Sequence, residues 1–146
     1  MVQISAGAEH SLALVEEGEV YSFGNSDNGQ LGHGSFKDEP RPRFVEALDG
    51  MEVVAVAAGD NHTVACTSKG ELLTWGYGGV GQLGVGELGE AEMEEDKHGD
   101  NCVTVPRLVQ SLAGKKVVAI SAGSSLFVDG TAATEIYTFG ESNEGE

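Results

Sequence analysis

His10-Ser11 and His62-Thr63, the latter with Asp60 close by, set an imidazole beside a hydroxyl, the pairing that activates a nucleophile through a general base. A catalytic pair is needed once, whereas this one recurs in equivalent surroundings, so the residues read as structural: a buried imidazole that hydrogen-bonds backbone and locks a turn. Gly76-Tyr-Gly78-Gly-Val-Gly81 matches the Gly-x-Gly-x-x-Gly pattern of a dinucleotide loop. Its counterpart Gly24-Asn-Ser26-Asp-Asn-Gly29 lacks the middle glycine, and neither leads into a helix whose N-terminus could hold a pyrophosphate. Cys66 and Cys102 form no Cys-x-x-Cys pair and read as ordinary thiols. The stretch 87–100 holds seven acids (Glu87, Glu90, Glu92, Glu94, Glu95, Asp96, Asp100) against Lys97. It lacks the alternating oxygen ligands and central glycine of a calcium loop, and reads as a solvated loop or a docking site for a basic partner. Asn61-His62-Thr63 is a formal glycosylation acceptor, expected to stay unused in a chain without a secretory leader. No catalytic, cofactor-binding or metal-ligating set emerges.

What positions these residues is a repeat. Ile4-Ser-Ala-Gly7-Ala-Glu-His10-Ser-Leu12-Ala-Leu14 returns, shifted by 52, as Val56-Ala-Ala-Gly59-Asp-Asn-His62-Thr-Val64-Ala-Cys66. Glu19-Val-Tyr-Ser-Phe23-Gly24 becomes Glu71-Leu-Leu-Thr-Trp75-Gly76 and then Glu135-Ile-Tyr-Thr-Phe139-Gly140, the second shift being 64. Gly29-Gln-Leu-Gly32 likewise recurs as Gly81-Gln-Leu-Gly84. The 12 extra residues therefore lie between Gly86 and Pro106, and the acidic insertion 87–103 interrupts a unit of about 52. Within each unit the signals are extended: short β-branched runs at 53–56, 62–67 and 71–75, separated by Gly, Asn, Asp and Ser, and no helical period. The third run of each unit is apolar on both faces, as a sheet covered on both sides requires. The first run is rich in Ala and Ser, which suits crowded inner strands of a radial array. The predicted fold is all-β, a partial β-propeller of four-stranded antiparallel blades.

Composition narrows the function. Eight Lys and Arg against 24 Asp and Glu leave a net charge of −16 over 146 residues, which repels nucleic acid and anionic membranes and favours basic protein partners. Glycine, at 22 residues, is about twice its ordinary share, which excludes a long-helix protein. The longest uncharged apolar stretch, 53–59, is far shorter than the roughly 20 residues of a membrane helix. A chain working inside the cell, in the cytoplasm or nucleus and without membrane insertion, is the expectation.

The Gly-x-x-His-[Ser/Thr]-x-Ala block, the strand ending in Phe/Trp-Gly and the Gly-Gln-Leu-Gly-x-Gly motif together resemble the repeat of the regulator of chromosome condensation family. That resemblance implies seven-bladed propellers, of which this chain holds about two and a half repeats: 1–52, 53–116 with the insertion, and 117–146. It assigns structural roles to Gly7, His10, Phe23, Gly24, Gly29, Leu31 and Gly32 of the first unit. In the second they are Gly59, His62, Trp75, Gly76, Gly81, Leu83 and Gly84, and in the third Gly123, Phe139 and Gly140. The third unit departs from the pattern with Leu126 at the histidine position. The single tryptophan, Trp75, speaks against the ultraviolet-B photoreceptor branch, which senses through a tryptophan cluster. Family activities divide between nucleotide exchange on a Ran-like GTPase, through particular loops and an added hairpin that is not identified here, and non-enzymatic protein-protein scaffolding. Scaffolding is the expected role and exchange the alternative. The partner-facing candidates are Asp27, Asn28, Tyr77 and Val80 in strand-connecting loops, with Glu92, Glu94, Glu95 and Asp96 in the insertion. Residues 88–101 are expected to project from the blade, and the uncovered ends of the array to be closed by further blades, another copy or an assembly partner.

Overall fold

Alternating side chains of His10–Leu14 are buried and half-buried in turn, the period of a strand with one fully covered face. In the computed structural model this is β2, within an antiparallel four-stranded sheet of order β1 (Gln3–Ala6), β2, β3 (Val20–Gly24) and β4 (Glu39–Phe44). The structure describes residues 3–77, 94–109, 117–122, 126–131 and 136–140; beyond 109 these are strand backbones, with the Ile120 side chain. A one-turn 3₁₀ helix, Glu46–Leu48, crosses to a second antiparallel sheet. Its strands β5 (Val53–Ala58), β6 (His62–Thr67), β7 (Leu72–Tyr77), β8 (Glu94–Glu95) and β9 (Asn101–Leu108) stand in the order β5-β6-β7-β9-β8. β10 (Val117–Ala122), β11 (Leu126–Thr131) and β12 (Ile136–Gly140) form a third sheet. Register repeats with the sequence: His10 faces Gly24, His62 faces Gly76, and Leu126 faces Gly140.

Every residue of β6 and the first five of β7 are buried, because the second sheet lies between neighbours. Leu12, Leu14, Val20 and Val45 of the first unit pack with Val53, Val64, Trp75 and Val103 of the second in one core. The inner strands β1, β5 and β10 lie side by side, where their small residues permit close approach. Two outward backbone positions of β5 are satisfied by side chains of β1. Gln3 donates to the Val56 carbonyl and accepts from the Val56 N–H, both at 3.1 Å, and Ser5 Oγ accepts from the Ala58 N–H at 3.0 Å. A Cβ at Gly7 would collide with the Gly59 carbonyl oxygen and the His10 ring, so only glycine fits there. The outer strand β4 has the sequence Glu-Pro-Arg-Pro-Arg-Phe; prolines cannot donate to a further strand and the arginines are exposed, which protects an open edge.

The insertion differs from the sequence expectation. Residues 101–103 belong to β9, and Glu94–Glu95 pair with Asn101 and Cys102 as a fifth strand. Its described C-terminal part is thus built into the sheet, and deleting 88–101 would remove β8 and the start of β9. A strand of two glutamates carries no β-propensity of its own; pairing with the long β9 supplies it.

Candidate functional site

The repeated imidazole and hydroxyl meet between sheets. Thr63 Oγ1 donates to the Gln30 carbonyl at 2.8 Å and lies 3.0 Å from His10 Nε2. A hydroxyl has one proton, and here it points to Gln30, so the His10 ring carries its own proton on Nε2 and donates to Thr63. Trp75 Nε1 donates to the same Gln30 carbonyl at 2.9 Å. Gly32, at φ +79°, passes so close that a Cβ would stand 2.8 Å from the indole nitrogen. The Gly29-Gln-Leu-Gly32 turn of one unit is therefore held by the His-Thr-Trp set of the two sheets it joins. His10 and His62 are buried, and desolvation drops the pKa of each to about 4. In His10 the nearby His62 backbone partly offsets that fall; in His62 proximity to His10 adds to it. Both rings are neutral at pH 7. The bond that the His10 ring makes is to a side chain of the next sheet, Thr63, where the sequence led to the expectation of a backbone partner.

Sequence reasoning set Thr63 beside His62 but did not foresee its bonds to His10 and Gln30 of the first unit, and gave Gln30 no role. Gln30 acts through its carbonyl oxygen, which every residue type possesses, so nothing in the side chain signals it. Reasoning also missed the contact of His33 Nε2 with Ser22 Oγ at 2.9 Å. Ser22 is fully buried and its proton is on the Leu31 carbonyl, at 2.8 Å, so it is no nucleophile. Burial, followed by the Arg43 guanidinium, holds the His33 pKa below the ordinary imidazole value.

On one end of the sheets the 25–34 loop, residues 59–61 and the described residues 94–101 of the insertion share a face. The loop is stiffened by its own side chains: Asn25 Oδ1 accepts the Asp27 N–H at 2.8 Å, Gln30 Oε1 the Asn28 N–H at 2.9 Å, and Asp38 Oδ1 the Ser26 N–H at 2.8 Å. Asn28 Nδ2 then donates across to Asp96 Oδ2 at 2.8 Å. Asp96 Oδ1 also accepts the His98 and Asp100 N–H groups at 2.8 and 3.0 Å. Asp96 is 7% exposed, so it anchors the hairpin and is not a partner-facing carboxylate as its acidic neighbourhood suggested. Burial opposes its ionisation, but the Asp100 and His98 N–H groups and the Asn28 amide outweigh burial and hold its pKa below the usual carboxylate value. Cys102 is fully buried behind it, its thiol pushed up to about 12 by desolvation and then by the Asp96 charge.

Lys97 Nζ reaches Asp27 at 3.2 Å, an exposed pair. The Asn25 side chain, followed by Lys97, lowers the Asp27 pKa. Glu94 and Glu95 are exposed, while Asn28 and Tyr77 are half-buried on the same face. Val80 and Glu92, with the motif positions Gly81, Leu83, Gly84 and Gly123, lie outside the described residues; Phe139 and Gly140 are placed by backbone only. Among the described residues no group of three or more His, Cys, Asp or Glu side chains is arranged to hold a metal ion. No described helix is long and apolar enough to cross a membrane.

Residues 17–66 and 69–128 match the regulator of chromosome condensation (RCC1) repeat, and a second form of that repeat matches 1–30 and 53–82. The chain belongs to the regulator of chromosome condensation repeat family. The human E3 ubiquitin-protein ligase HERC2 is 44% identical over 124 residues, which is 84% of this chain and 2% of that protein. The Arabidopsis thaliana ultraviolet-B receptor UVR8 is 36% identical over 145 residues, 98% of this chain and 30% of the receptor. Among solved structures, human WBSCR16 superposes with a TM-score of 0.81 at 27% identity, over 95% of this chain and 32% of that one. Prp20p from Saccharomyces cerevisiae, described with its binding to Gsp1p and histones, gives 0.82 at 24% identity, over 94% and 32%, and supports the fold alone. The chain thus spans about a third or less of these relatives, and its sheets are blades of an RCC1-type β-propeller.

Proposed function

We propose that this RCC1-repeat chain is a non-enzymatic protein-interaction module that works inside the cell, in the cytoplasm or nucleus, and takes a basic protein partner. One observation carries the reading. The His10 imidazole, the Thr63 hydroxyl and the Trp75 indole are buried in the joint between blades, where Thr63 and Trp75 hold the Gln30 carbonyl and His10 holds Thr63. A rigid scaffold with exposed loops is an arrangement for recognition. The loop face offers Glu94 and Glu95, exposed, beside Asn28 and Tyr77, and the net charge of −16 steers cationic surfaces towards it.

Binding to immobilised chain tests the reading, with core histones as the basic probe and a Ran-type GTPase carrying fluorescent GDP as the second analyte. Histone binding that weakens with salt and with Glu94→Lys/Glu95→Lys, together with unchanged nucleotide release, is the expected result. Accelerated release would replace the module with a guanine-nucleotide exchange factor.

A further inference from the structure

Glu17 and Glu19 stand in the turn between β2 and β3, and Asp49, Gly50, Met51 and Glu52 in the crossing from the first blade to the second. With Phe44 and Leu48 they bound a hollow of about 290 Å³. β2 leaves the loop face at His10 and reaches this end at Leu14, so the hollow lies on the face opposite the 25–34 loop and the described β8–β9 hairpin. Part of its lining is apolar: Met51 is 38% exposed, and the half-buried Phe44 ring sits 5.7 Å from that of Tyr21. Its rim carries four carboxylates, of which Glu19 accepts the Tyr21 hydroxyl at 3.4 Å. Among the described residues no Lys or Arg forms an ion pair with any of them.

The fold does not dictate this charge. At equivalent positions the second unit has Lys69, Glu71, Ala113, Lys115 and Lys116 where the first has Glu17, Glu19, Asp49, Met51 and Glu52. Three lysines against one glutamate give +2 there, against −4 in the first unit, so the repeat sequence carries either sign at these positions. Carboxylates that the repeat does not need, beside the accessible Met51 and Phe44 side chains, match a side chain with an aliphatic stem and a cationic head. A second copy is a poor occupant of this hollow, because the chain carries only eight Lys and Arg against 24 Asp and Glu and so offers few cationic side chains to it.

We propose that the hollow formed by Glu17, Glu19, Phe44, Asp49, Met51 and Glu52 docks a lysine- or arginine-bearing segment of a partner protein. The inference rests on the interaction-module reading and adds a second contact surface to it. The stem of the docked residue lies on Met51 and Phe44 while its head is shared among the carboxylates.

The probe is a fluorescein-labelled peptide of alternating lysine and alanine, with a glutamate-alanine peptide of equal length as control, titrated against the full chain by anisotropy at two salt concentrations. The lysine peptide binds, more weakly at high salt, and the control does not. Replacing Glu17→Lys, Asp49→Ala and Glu52→Lys, all borrowed from the second unit, weakens binding by about tenfold or more. The near-isosteric set Glu17→Gln, Asp49→Asn and Glu52→Gln does the same with packing preserved, which covers the case in which the first set fails to fold. Undiminished binding by either folded set, equal binding of the control, or no binding of the lysine peptide overturns the proposal. Glu94→Lys/Glu95→Lys reports on the loop face: if it removes binding while both folded hollow sets bind as the parent chain does, the hollow is not the site and the loop-face reading survives.

Discussion

The Thr63 hydroxyl accepts from His10 and donates to Gln30 in the same buried joint, so its removal leaves two polar groups without that partner. Thr63→Val keeps the shape and is expected to cost about 1–3 kcal/mol in urea unfolding. Ser11, its half-buried counterpart in the first blade, is the control: Ser11→Ala should change stability by less than about 0.5 kcal/mol. The histidines add a pH dependence of definite sign. Each has a folded pKa of about 4 against 6.5 when unfolded, so the unfolded chain binds more protons in that window. Stability is therefore full above pH 6.5 and falls as pH drops towards 4, by up to about 3 kcal/mol for one histidine. Urea midpoints across this range check it, and a flat profile would mean that the rings are hydrated. The structural reading of His10 and His62 was available from their recurrence. Their partners were not, because a contact between blades joins residues some fifty positions apart, and one partner is a main-chain oxygen.

Among elements, the β8–β9 hairpin is where the sequence misleads most. A run of acids suggests solvent, and Glu94 and Glu95 are indeed exposed, yet Asp96 turns inward onto two backbone N–H groups and the Asn28 amide. Asp96→Ala strips those donors of their acceptor and should free the hairpin from the 25–34 loop. Hydrogen exchange at His98 and Asp100 should then accelerate. The Cys102 thiol, inert in the native chain at pH 8 because it is buried and its pKa lies near 12, should become reactive to a thiol reagent. Unchanged thiol reactivity in a folded Asp96→Ala chain would show that β8 holds without the anchor. The strands of the repeat itself were legible because identical residue types mark each one: β6 covers the expected 62–67 run without change. The hollow on the opposite face was not, since its acids come from two turns about thirty residues apart and no single window contains them.

For the whole molecule, all the assignments depend on the sheets being blades that must cover one another. The second blade shows what covering achieves, with β6 buried throughout, whereas β1 and β2 of the first blade keep Ser11 and Ala13 half-buried and Ala6 exposed on their other side, where Ile4 is 62% exposed. Joints also differ. Gln3, Ser5 and the Thr63–Trp75 pair cross the first joint, while the second has Ala55 and Ala57 at the positions of Gln3 and Ser5, and Phe127 and Phe139 at those of Thr63 and Trp75. The sequence thus has apolar residue types at the positions that lock the first joint, and a blade edge left open favours association. The measurement that bears most directly on this account is sedimentation velocity of residues 1–146 alone over a hundredfold range of concentration, paired with thermal unfolding. The blade account predicts concentration-dependent self-association, with unfolding spread over a broad transition. A monodisperse monomer that unfolds in one cooperative step at every concentration would contradict it, because these sheets would then form a self-sufficient fold with no further blade to receive.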